Sequence, residues 1–250
     1  MDPRYHTWMR HARLGMLTPS SNTVLEPVCV AMLAGLPEVS CHFARFRVTE
    51  ISLEAAALAQ FDDERLLEAA TLLADAKVDA ICWNGTSAGW LGFERDRLLC
   101  QRISERTGVP AGSSVLAVDD IFRRTGVRRF GLVSPYLSEV QRRVMASFAR
   151  QGFDCIAERH LDISENVCFG DVGGDTLKDM IREVARARPD AITIFCTNLR
   201  GAPLVEELER ELGIPIHDTV AAALWAALRL ARVDPSRVRG WGRLFGDAGS

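Results

Sequence analysis

The sequence is short of most features that would assign it at sight. No apolar run approaches the roughly 18 residues a membrane-spanning helix needs. The start, Met1-Asp2-Pro3-Arg4-Tyr5-His6, has none of the basic-then-apolar order of a signal peptide. Net charge is only −3 over 250 residues and the basic side chains are scattered, so electrostatics favours neither nucleic acid nor a membrane surface as partner. A short basic cluster, Arg123, Arg124, Arg128 and Arg129, flanks an expected turn and strand and reads as solvated surface. Cysteine is present without pattern. Cys29, Cys41, Cys82, Cys100, Cys155, Cys168 and Cys196 make an odd seven with no C-x-x-C pair, which argues against a disulfide framework or a zinc site and for a reducing, cytoplasmic setting. His6, His11, His42, His160 and His217 show no metal-ligand spacing, and the G-x-G-x-x-G and G-x-x-x-x-G-K-[ST] phosphate loops are missing. The expectation is a site with neither cofactor nor metal.

What is there is apolar and repeated. At 48% hydrophobic the chain can bury one large core or two modest ones. Asp79-Ala-Ile-Cys-Trp-Asn-Gly-Thr-Ser87 lies over Asp190-Ala-Ile-Thr-Ile-Phe-Cys-Thr-Asn198 with an offset of 111, so that Thr86 falls on Thr197 and Gly85 on Cys196. Gly15-Met-Leu-Thr-Pro19 lies over Gly131-Leu-Val-Ser-Pro135 with an offset of 116, and Gly108-Val-Pro110 over Gly213-Ile-Pro215 with an offset of 105. Three landmarks in one order indicate an internal duplication in which one half carries a thiol and the other bare backbone.

Hydrophobic spacing predicts strands at 13–17, 42–48, 78–81, 109–111 and 129–133, and helices at 24–33, 53–76, 96–107, 114–124 and 139–151. Such alternation implies an α/β fold: two pseudo-twofold related α/β domains, parallel sheets flanked by helices, and an active site in the cleft between them. The expected division is 1–118 for the first half and 119–224 for the second. The segment 225–250 is expected to pack back on the first half, since Arg239 to Phe245 is too apolar for a free tail.

In open parallel sheets ligands gather beyond the carboxyl ends of the strands. The turns there are Thr18–Asn22, Asn84–Ser87, Ser134–Tyr136 and Cys196–Arg200. Each is expected to lead into a helix, leaving unpaired N–H groups and the positive end of a helix dipole at the ligand. With the hydroxyls of Thr86, Ser87 and Tyr136 and the amide of Asn22 or Asn198, the cleft reads as an anion receptor. Its expected partner is a small carboxylate, with a homo-oligomer left open.

These residues resemble the aspartate/glutamate racemase superfamily, within it the branch of arylmalonate decarboxylases and maleate cis-trans isomerases. The resemblance spans nearly the whole chain. It rests on P-S-S-N-T-V-L-E at 19–26, G-T-S at 85–87, S-P-Y at 134–136, S-E-N at 164–166, C-T-N-L-R at 196–200 and G-W-G-R-L-F at 240–245. It implies a two-domain fold with the site between the halves. Two-cysteine members move a proton on each face of the substrate; here Gly85 stands where the first cysteine would be. By resemblance to the decarboxylases, Thr86, Ser87, Tyr136 and the Thr197 amide would form the oxyanion pocket and Cys196 would protonate one face of the carbanion left by CO2.

The isomerase branch implies instead that Asn22, Tyr136, Asn166 and Cys196 bind or react, with Cys196 a nucleophilic thiolate whose pKa a helix N-terminus would lower. The leading expectation is a cofactor-independent decarboxylase of a substituted malonate. The alternatives are a maleate isomerase or racemase-like enzyme, and a carboxylate-binding protein without catalysis. Among bland readings, Cys82 is a core cysteine, Arg200 a surface ion-pair partner and His217 structural. Trp83 and Trp90 read as core packing or as an aryl-binding wall.

Overall fold

The computed structural model describes residues 11–247. In chain order the first elements are β1 (Ala12–Pro19), α1 (Leu25–Met32), β2 (Val39–Phe46), α2 (Ala55–Leu58), α3 (Asp63–Asp75), β3 (Ala80–Trp83), α4 (Ala88–Leu91), α5 (Phe93–Thr107), β4 (Ala111–Ser113) and α6 (Ser114–Thr125). There follow β5 (Arg129–Val133), α7 (Ser138–Arg150), β6 (Asp154–Arg159), α8 (Gly174–Ala185), β7 (Ala191–Ile194), α9 (Val205–Leu212), β8 (Ile216–Asp218), α10 (Thr219–Leu230) and α11 (Leu244–Asp247). Two parallel sheets result, in the orders β2-β1-β3-β4 and β6-β5-β7-β8. Both are flanked by helices, as parallel strands buried on two faces require.

The three offsets are the register of this twin architecture. Gly15 pairs with Ile81 and Ile81 with Ala111; Gly131 pairs with Ile192 and Ile192 with Ile216. The aspartates that open the two matched segments act alike. Asp79 accepts the Arg13 amide at 2.8 Å, and Asp190 accepts those of Arg128 at 2.9 Å and Arg129 at 2.8 Å. Gly108 and Gly213 each end a helix in the left-handed region, at φ +70°.

The helix expected over 53–76 is broken. A 3-10 turn (Ala59–Phe61) follows α2, and Asp62 leaves the helical region to take the Glu64 amide at 3.2 Å as the cap of α3. The break turns Phe61 inward. The segment before it straps the two halves together: Ile51 N–H donates to Ser164 O at 2.9 Å and Asn166 N–H to Thr49 O at 3.0 Å.

The C-terminal segment divides where a single return to the first half was expected. Helix α10 leaves the second sheet and covers β3, β4 and α6 of the first, and Arg237 pairs with Glu38. Gly242 and Arg243 instead meet the second half, where Glu209 accepts the Arg243 amide at 2.7 Å and Gly242 lies over Val205. Arg124 forms a solvated pair with Asp120 at 2.8 Å, whereas Arg123 reaches in to the buried Asp119 at 2.9 Å.

The interior of the second half is aromatic. Phe148 on α7 packs against Phe93, Phe130 and Phe195 with ring centroids 5.1, 4.9 and 5.4 Å apart. Helix α4 of the first half reaches this cluster only because Gly89 has no side chain, since a Cβ there would lie 2.5 Å from Phe195 Cε1. Gly89→Ala is therefore expected to destabilise the protein by about 1–3 kcal/mol through overpacking, despite alanine's better helix propensity. A lowered urea midpoint at unchanged m-value would show it; an unchanged midpoint would contradict it.

Candidate active site

The carboxyl ends of β1, β3, β5 and β7 converge on a narrow cavity of about 20 Å³. Gly85, Thr86, Tyr136, Asn166, Cys196 and Thr197 are on its wall. Pro19 at the end of β1, Val48 and Ile51 of the strap and Phe61 of the broken helix add an apolar side, and Trp83 and Trp90 complete it. A larger groove of about 230 Å³ runs between α6 and α10, but it opens widely and draws nothing from the four strand-end turns.

Of the residues expected at the site, Asn22, Ser87 and Asn198 are not on this wall. Asn22 Nδ2 donates to Thr197 O at 3.0 Å and Thr197 Oγ1 at 3.2 Å, while its Oδ1 accepts the amides of Val24 and Leu25 at 2.9 Å and so caps α1. Asn198 reaches the other way. Its Oδ1 accepts Thr23 N–H at 2.9 Å and its Nδ2 donates to Asn166 O at 2.6 Å. The two asparagines are crossed clamps directly behind the cavity. Ser87 begins α4, its carbonyl accepting the amides of Trp90 and Leu91.

On the wall itself, Thr86 and Tyr136 share a short hydroxyl–hydroxyl bond across the two halves. Thr197 Oγ1 donates to Asn84 O at 2.9 Å, and Ser114 Oγ holds Gly85 O at 2.6 Å. Among the described residues, the backbone N–H groups of Gly85, Thr86 and Thr197 meet no carbonyl, so they remain available to an anion. Burial pushes the Tyr136 hydroxyl well above its usual pKa, with the neighbouring Cys196 sulfur adding to it. It stays a donor at neutral pH.

Cys196 is 3% exposed. Burial pushes its thiol up to about 12, against the opposing pull of the Asn198 amide, 3.4 Å from Sγ, and of the Tyr136 hydroxyl. This corrects the expectation of a lowered pKa. No helix begins beside the sulfur: a turn and a 3-10 segment (Ala202–Leu204) intervene before α9 starts at Val205. Dipole stabilisation, which fades within a turn, does not reach it.

The position matched to Cys196 is closed. A Cβ on Gly85 would fall 1.9 Å from Cζ2 and 2.5 Å from Cε2 of Trp83. Residues two apart on an extended chain share a face, so the Trp83-x-Gly85 spacing is the sequence signal that lets the indole lie where a side chain at 85 would stand. Phe46 holds the ring from the other side at 5.1 Å.

The other singled-out residues lie elsewhere. Cys82 is wholly buried in the core of the first half. His217 is buried and off the cavity wall, its pKa lowered to about 4 by burial. Arg200 donates to Gly170 O at 3.0 Å and makes no ion pair among the described residues. The strap residues Val48 and Ile51, and Phe61, were not legible as wall residues, because Val48 was expected to end a strand and the expected helix ran beside Ile51 and through Phe61.

The family model for arylmalonate decarboxylase matches residues 23–245. The chain is similar to a maleate isomerase of Nocardia farcinica, 29% identical over 93% of this chain and 95% of the relative. It is also similar to an arylmalonate decarboxylase of Bordetella bronchiseptica, 26% identical over 94% and 97%. Among solved structures, a cysteine-to-serine variant of the Nocardia farcinica maleate cis-trans isomerase, with a covalently bound succinylcysteine intermediate, superposes with a TM-score of 0.86 at 26% identity, covering 94% of this chain and 98% of that one. With its twin sheets, its cavity between them and a match that runs almost from end to end, the chain belongs to the arylmalonate decarboxylase family.

Proposed function

We propose that the protein is a cofactor-independent decarboxylase of a substituted malonate, with Cys196 as the proton donor. The observation that carries this reading is the pairing of a single protonated thiol with a mirror position, Gly85, that Trp83 keeps free of any side chain. A racemase needs a base and an acid on opposite faces. Loss of CO2 needs neither base nor second sulfur.

The bond from the α-carbon to one carboxyl group breaks, its electron pair passes to that carbon, and the charge spreads onto the remaining carboxylate as an enediolate. In this reading one of the paired hydroxyls of Thr86 and Tyr136, together with the amides of Gly85, Thr86 and Thr197, donates to the developing oxyanion. Each such donor is worth about 3 kcal/mol in a dry site. The Cys196 thiol then gives its proton to the α-carbon, and the thiolate regains one from water. The apolar side formed by Pro19, Val48, Ile51 and Phe61 suits the substituent. Seven unpaired cysteines fit a reducing, cytoplasmic setting.

Similarity to maleate isomerases favours a second reading, isomerisation of a small cis-dicarboxylate. A bond from carbon to cysteine sulfur, as in the succinylcysteine of the Nocardia structure, would here have to come from Cys196. A thiol raised to about 12 disfavours this, because the nucleophile is the thiolate.

Proton NMR in heavy water is expected to show a substituted malonate losing CO2 and gaining one deuterium at the α-carbon in a product of one hand. Cys196→Ala should slow this at least about 100-fold. Turnover of maleate with malonates untouched would overturn the decarboxylase reading, and full activity in Cys196→Ala would remove the sulfur from the mechanism.

The pH profile carries a sign. The protonated thiol is the active form, so its contribution persists below about 12 and falls only as pH rises through that value. From pH 7 to 9, kcat/KM should therefore show no rise attributable to the cysteine, and iodoacetamide should label it slowly. A rate climbing through about 8.5, the ordinary thiol pKa, would indicate a thiolate mechanism.

A further inference from the structure

Two residues on the cavity wall carry buried donors that the reaction outlined above does not use. The indole Nε1–H groups of Trp83 and Trp90 are buried, the residues 1% and 4% exposed, and neither meets an acceptor among the described residues. Folded proteins leave few buried donors unpaired, because each forfeits its hydrogen bonds to water. Trp225 Nε1 is also unpaired, but it belongs to the separate groove between α6 and α10. Only Trp83 and Trp90 share a wall with the hydroxyls of Thr86 and Tyr136.

Both rings are held in place. Trp83 packs against Phe46, and its six-membered ring, through Cζ2, Cη2 and Cε2, occupies the space that a Cβ on Gly85 would need. Trp90 is wedged edge-on between Phe61 at 5.9 Å and Tyr136 at 5.4 Å. The duplication makes these donors one-sided: at the offset of 111 their counterparts in the second half are Ile194 and Gly201, which carry no side-chain donor. No lysine or arginine is on the wall, so a carboxylate entering the cavity has to be met by neutral donors.

We propose that Trp83 and Trp90 are substrate ligands whose indole N–H groups bind a carboxylate of the small dicarboxylate. This rests on the proposed use of the cavity for a dicarboxylate and assigns its anion wall to the first half, facing the thiol of the second. The indole at position 83 thus has two effects: it excludes a second acid–base group and replaces it with a fixed donor.

The test is a titration of the full-length protein with malonate, followed by 1H–15N spectra of the tryptophan indoles and by calorimetry. The resonances of Trp83 and Trp90, assigned from Trp83→Phe and Trp90→Phe, are expected to move downfield while the other indoles stay in place. Each phenylalanine variant should weaken malonate binding about 3- to 10-fold, the loss of one neutral hydrogen bond. The indole shifts in the wild-type protein are a readout that a purely structural role would not move, and they do not depend on the stability of either variant. Malonate binding with unmoved indoles and unchanged affinity in both variants would overturn the assignment while leaving decarboxylation intact. Absence of malonate binding together with absence of CO2 release from malonates would overturn both.

Discussion

The site depends on a seam of crossed hydrogen bonds between two parallel sheets whose carboxyl ends face each other. Strand ends in that arrangement present amides that nothing in their own sheet can satisfy. The molecule meets part of that need across the seam, where Asn198 Oδ1 accepts the Thr23 amide, while Asn22 Nδ2 donates the other way to the Thr197 carbonyl and hydroxyl. The remainder stays free around the cavity. Because the clamps sit directly behind Thr197 and Asn166, the geometry of the wall and the docking of the halves are one constraint.

Within that frame the two halves have diverged where they meet. The matched turns carry Gly85-Thr86 on one side and Cys196-Thr197 on the other. Each threonine bonds into the opposite half, Thr86 to the Tyr136 hydroxyl and Thr197 to the Asn84 carbonyl. Trp83 makes the divergence hard to reverse in a single step, since its indole stands in the path of any side chain at 85. Burial does the rest, holding the remaining sulfur in its protonated form. In the proposed reaction that thiol, facing a wall of neutral donors, quenches the carbanion from one direction.

Much of this was legible in the sequence, because backbone register leaves a periodic trace. Strand β5 falls on residues 129–133 as the hydrophobic run predicts, and the offsets of 116, 111 and 105 follow from equivalent pairing in two sheets. The turn containing Cys196 was found through its match to Gly85. What escaped were consequences of packing. Asp62 ends one helix and caps the next, a competition that apolar spacing alone does not register. Asn22 and Asn198 were read as ligand groups from their place in strand-end turns, and Asn22 also from the resemblance to maleate isomerases; the folded seam adds that each has protein partners. The ordinary pKa logic for a cysteine after a strand failed because the expected helix does not start there.

The most direct test is a crystal structure with malonate bound. The account predicts the ligand in the cavity between the sheets, with Cys196 Sγ about 3.5 Å from the α-carbon on one face and Gly85 and Trp83 on the other. Malonate seated outside this cavity, for instance in the groove between α6 and α10, or lying with its α-carbon out of reach of the sulfur, would contradict it.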